Sequence, residues 1–155
     1  MAYQLPLFAY VGDPVAHHVL PRLVSSVQRR DPAVVAVPTG DGVGWMSCDL
    51  SADHDLSADL DELVQDLLPG PPRRWPLALE VTTRPDSVRE MVSWGIGEGG
   101  PASLSECDAL IEVTLLGDLI DWKIVREICE SAAEMWQVTL RDETSGFDVS
   151  IADLP

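Results

Sequence analysis

Apolar residues recur along this chain at two spacings, and the alternation between the two predicts its elements. Leu5 to Val11 alternates loosely and reads as a strand, closed by a Gly12-Asp13-Pro14 turn. From Val15 to Arg30 the apolar positions are Val15, Val19, Leu20, Leu23, Val24 and Val27, which is helix spacing. Pro14 suits the first turn of that helix, and Arg29 and Arg30 suit the negative pole at its end. Pro21 falls inside and kinks or restarts it. Ala33 to Val37 reads as a short strand, residues 38–42 as a turn, and Val43 to Leu50 as the next strand. Leu56, Leu60, Leu63, Val64, Leu67 and Leu68 then form one apolar helix stripe, stopped by Pro69 to Pro72.

The second half repeats these patterns. Trp75 to Thr83 alternates as a strand, and Asp86 caps a short helix from Ser87 to Trp94 that Gly95 ends. Residues 95–105 read as a Gly-rich loop. Ala109 to Leu116 is a strand, and Leu119 to Glu134 a helix with Ile120, Ile124, Val125, Ile128, Cys129 and Ala132 on one stripe. Met135 to Arg141 and Phe147 to Ile151 read as strands around an Asp142 to Gly146 hairpin turn. Strand, helix, strand therefore occurs over about 43–83 and again over 109–151, and Trp75 to Leu79 resembles Trp136 to Leu140. The expectation is a single α+β domain over residues 1–155. It has an N-terminal strand-helix-strand and two loosely repeated βαβ halves, with an antiparallel sheet and helices mainly on one face. Two split βαβ units would make it ferredoxin-like.

Charge changes the picture because it is uneven. The 155 residues carry a net charge of -16. Residues 1–48 and 71–105 balance, whereas residues 49–70 have seven acids and no base, and residues 106–155 have twelve acids and three bases. Each acidic block holds a well-formed amphipathic helix pattern. If both helices pack on one sheet face, Asp59, Asp61, Glu62 and Asp66 come near Asp121, Glu127, Glu130 and Glu134. A surface of one sign selects a partner of the other, so the expected partner is a basic protein. The same acidity excludes nucleic acid and anionic membrane surfaces as direct ligands. No apolar run nears the ~20 residues of a membrane span, and the N-terminus lacks a signal-peptide pattern, so a cytoplasmic location is expected.

Candidate chemistry is sparse. Cys48, Cys107 and Cys129 are far apart and odd in number, which suggests buried thiols rather than a zinc site or a disulfide framework. Asp49, Asp53, His54, Asp55, Asp59 and Asp61 lack the Gly and the Glu of a calcium loop, and no metal or other cofactor is expected. Gly95, Gly97, Gly99 and Gly100 follow a helix, whereas a phosphate loop follows a strand. His17 and His18 are neighbours on a helix and point about 100° apart, so they do not chelate one metal; a general base there is the enzyme alternative. Trp75 and Trp136 are expected in the core, and Trp94 and Trp122 as surface anchors for a partner.

A small, acidic, motif-free α+β chain from what looks like a GC-rich bacterial genome resembles, in general character, the immunity proteins of bacterial toxin systems. That resemblance implies an inhibitor that covers the active site of a basic toxin domain; no stretch matches a family motif, and no residue role is carried over. A small-molecule-binding or regulatory module, or a small enzyme using His17 or His18, are the alternatives.

Overall fold

The computed structural model describes residues 2–54, 75–117 and 119–155. Six strands form one sheet: β1 (Ala2–Tyr10), β2 (Val35–Gly42), β3 (Trp45–Ser51), β4 (Leu77–Thr82), β5 (Ala109–Leu116) and β6 (Gln137–Leu140). Their order is β2-β3-β4-β5-β1-β6, and every neighbouring pair is antiparallel. The described helices are α1 (Ala16–Arg30), α2 (Pro85–Gly97) and α3 (Trp122–Met135), with a 3-10 turn at Ala102–Glu106 and another at Ile151–Asp153. The chain is therefore α+β, as the alternation of spacings predicts.

Period-2 patterning splits the apolar residues between two cores. Leu5, Leu7 and Ala9 of β1 and Ile111, Val113 and Leu115 of β5 join the larger core, with Leu79 and Val81 of β4. Val19, Leu20, Leu23 and Val27 of α1 and Ile124, Val125 and Ile128 of α3 cover this face. On the other face Phe8 and Leu110 meet Val88 and Val92 of α2 and Leu104 of the first 3-10 turn. Two of the three described helices thus share one face, and α2 lies on the other.

The repeat has one built copy. β5, α3 and β6 form a split βαβ unit: β5 and β6 both pair antiparallel with β1 and so run parallel to each other on its two sides. β3 and β4 pair directly and antiparallel, so the earlier half is not such a unit. The predicted Leu56 to Leu68 helix lies outside the described residues.

Four local expectations need correction. Residues 38–42 belong to β2, and the hairpin turns instead at Val43 and Gly44, where Gly44 adopts φ +75. The glycines at 40 and 42 serve packing. A Cβ on Gly42 would come within 2.2 Å of the Trp45 indole Nε1, and one on Gly40 within 3.1 Å of the same ring. Gly95 does not end α2, which runs on to Gly97, because it is a close-packing glycine: its Cβ would meet Leu104 at 3.1 Å and Phe8 at 3.3 Å. Residues 147–151 form no strand. Phe147 turns to the smaller core, 5.9 Å from the Phe8 ring, while Val149 and Ile151 pack on the larger one. Trp136 is buried as expected, but Trp75 stands just before β4 and is half exposed.

Candidate functional site

The acidic stripe of α3 comes first, because the sequence singles it out. α1 and α3 lie side by side, and Arg30 in the last turn of α1 reaches across. Its guanidinium is 3.5 Å from Glu127, 3.0 Å from Glu130 and 2.8 Å from Glu134. The hydrogen bond that Arg30 donates to Glu134 is the main cause that raises the Arg30 pKa above its ordinary value; burial opposes it, and the charges of all three glutamates add to it. These carboxylates already have a cation. Sequence distance hid it, since Arg30 lies about a hundred positions away.

Asp121 also points inward. Its Oδ1 accepts the Ile124 backbone N–H at 3.2 Å and so caps α3. Its Oδ2 lies 2.6 Å from His54 Nδ1, while His54 Nε2 lies 2.7 Å from Asp31 Oδ2. The imidazole is thus clasped between the end of α1 and the start of α3, with Lys123 Nζ 3.6 Å from Asp31. Both ring nitrogens are engaged, which leaves neither to take a proton from a substrate. Asp31 is buried, which opposes its charged form. The Ala33 backbone N–H and the charges of His54 and Lys123 outweigh this and hold its carboxyl below the ordinary 3.8. Spacing could not reveal this clasp, because its three members come from three separate elements.

The remaining predicted residues are spread out. Trp122 packs edge-on against Tyr3, with ring centroids 6.5 Å apart, beside the larger core. Trp94 is exposed on the opposite side of the sheet, with the Arg141 guanidinium 4.5 Å over its ring. Asp59, Asp61, Glu62 and Asp66 lie outside the described residues. His17 and His18 stand exposed at the start of α1, His17 3.1 Å from Asp41 and His18 3.5 Å from Asp13. Cys48 and Cys129 are buried, Cys107 is half-buried, and all three are free thiols. Burial pushes Cys129 up to about 12 and the other two to about 11, so none is a ready nucleophile. Among the described residues no group of such side chains is arranged to hold a metal ion.

Among the concave features of the described residues, two bear on binding. One, of about 440 Å³, opens at the end of the sheet between Leu50, Leu77, Leu115, Ile120 and Ile124, with Asp53 and Asp121 as its acids and Trp75 at its wall. The other is a groove of about 380 Å³ between α2 and β3. Its floor is Glu80 and Thr82 of β4 with Leu110 and Glu112 of β5. Its walls are Trp45 on one side and Ser87 and Met91 on the other. Glu80 and Glu112 are direct cross-strand partners, so two like-charged side chains face each other across adjacent strands. Burial, and then the charge of Glu80, pushes the Glu112 pKa up. Thr82 Oγ1 donates to Glu80 at 3.4 Å. Arg84 stands at the rim, but its Nε donates to the Val43 carbonyl at 2.7 Å, and among the described residues no base forms an ion pair with either glutamate. Comparison with family models, curated proteins and solved structures finds no match to this chain.

Proposed function

We propose that this chain is an acidic binding module that neutralises a basic protein. It would act as a cytoplasmic immunity-type inhibitor acts, by covering the working surface of a bacterial toxin domain. The observation that carries this reading is the fate of the chain's few cations. Arg30 is spent on three glutamates, and Lys123 on Asp31. Arg126 holds the Leu154 and Pro155 carbonyls, Arg84 the Val43 carbonyl, and Arg22 and Arg141 stack on Trp136 and Trp94. With these six of its ten bases held in contacts within the chain, a net charge of -16 presents a predominantly negative field to solvent. Such a field speeds encounter with a cationic surface and repels nucleic acid.

The test is capture of partners from the source cell on the immobilised full chain. The expected result is one strongly basic protein whose complex weakens steeply as salt rises, because its encounter is electrostatic. Retention of no basic protein at low salt would sink the reading. The 440 Å³ apolar cavity favours a second reading, a small-molecule-binding module. In that case a metabolite should raise the melting temperature while no protein partner is captured.

A further inference from the structure

We infer that the groove between α2 and β3 is where the partner docks, and that it receives an arginine side chain from an exposed loop of that basic protein. The inference rests on the basic-partner reading and adds the surface and the side chain. Three observations carry it. The sheet face is covered by α2 only in part, which leaves the groove open beside β3, with Trp45 as its second wall. Glu80 and Glu112 oppose each other on the groove floor, and among the described residues no base forms an ion pair with either, Arg84 at the rim being turned to the Val43 carbonyl; like charges disfavour such an arrangement unless an added cation relieves it. The Trp45 ring lies against Gly40 and Gly42, which have no side chain to displace it.

An aromatic wall beside two carboxylates fits a guanidinium better than an ammonium. The planar group stacks on the indole while its forked N–H donors reach both carboxylates; a lysine is a hydrated point charge that does neither as well. Electrostatic complementarity thus specifies the occupant. The α3 glutamates compete less for it, since Glu127, Glu130 and Glu134 already share the Arg30 guanidinium.

The experiment titrates the isotope-labelled full chain with acetylated hexa-arginine, and separately with hexa-lysine, following backbone and indole N–H resonances. The arginine peptide should shift Trp45, Glu80, Thr82 and Glu112 most and bind at least about threefold tighter than the lysine peptide. The double variant Glu80→Gln/Glu112→Gln should weaken hexa-arginine by about tenfold, whereas Glu90→Gln/Glu98→Gln, which removes the same charge from exposed positions on and just beyond α2, should change it by less than about twofold. The groove variant relieves a repulsion and should be at least as stable as the parent, so lost binding will not reflect unfolding. Equal weakening by both variants, or a footprint elsewhere on the chain, overturns the groove while leaving the basic-partner reading in place. Absence of binding by either peptide at low salt overturns that reading, and the groove falls with it.

Discussion

Single residues decide the shape of the groove. Gly42 lies under the Trp45 indole, and a methyl group there would overlap it at 2.2 Å. Gly42→Ala should therefore displace the ring and destabilise the fold by about 1–3 kcal/mol, the usual range for overpacking. Urea unfolding followed by tryptophan emission tests this; an unchanged midpoint and spectrum would mean the ring does not rest on Gly42. This residue also shows why sequence reading fell short. Pro38-Thr39-Gly40-Asp41-Gly42 has the composition of a turn, and glycines are read as backbone punctuation. Here they sit in a strand because a large neighbour needs the space, and that neighbour's position follows only from strand register. The Glu80–Glu112 pair was hidden for the same reason. Each is an ordinary polar residue of an alternating strand, and only the pairing of β4 with β5 sets them face to face.

At the scale of elements, periodicity served well where one face of an element is buried. The stripes of α1 and α3 and the alternation of β1 and β4 emerge from apolar spacing, the apolar and β-branched run of β5 marks a strand, and all are present. What spacing could not say is which helix lies beside which. The pairing of α1 with α3 turns the α3 glutamates from a free patch into the partners of Arg30. Arg30→Ala should leave three carboxylates on one helix face without relief. The expected loss is about 1 kcal/mol, larger at low salt and shrinking as salt rises. Thermal unfolding across a salt series measures it, and a loss independent of salt would assign Arg30 a packing role instead. The predicted strand at 147–151 fails for a related reason. Its alternation is real, but its two faces are claimed by two different cores.

At the scale of the whole molecule, charge governs how stability varies with pH. Asp31 is held below 3.8, so its contribution is present above that value and is lost as pH falls through its depressed folded value. Glu112 has the opposite sign. Its raised carboxyl contributes stability only below its ordinary 4.5, and that contribution is lost as pH rises through the folded value. Glu112→Gln should therefore stabilise the chain by up to about 1 kcal/mol near neutral pH and by nothing in strong acid, while Asp31→Asn should do the reverse by destabilising only above the acid range. Denaturant midpoints across the acid range decide this; parallel pH profiles for parent and Glu112→Gln would remove the repulsion argument.

The order of strands has a consequence for how the chain reaches this state. The first strand lies one place in from an edge of the sheet, wedged between β5 and β6, and Ala9 pairs with Ala109. β1 is therefore made about a hundred residues before β5 and must wait for both of its neighbours to follow. Closure entropy for such remote pairings makes folding slow, and meanwhile the apolar β1 has unpaired edges on both sides. β1 is thus exposed to misassociation until β5 and β6 follow, whereas β2, β3 and β4 can pair with one another before then.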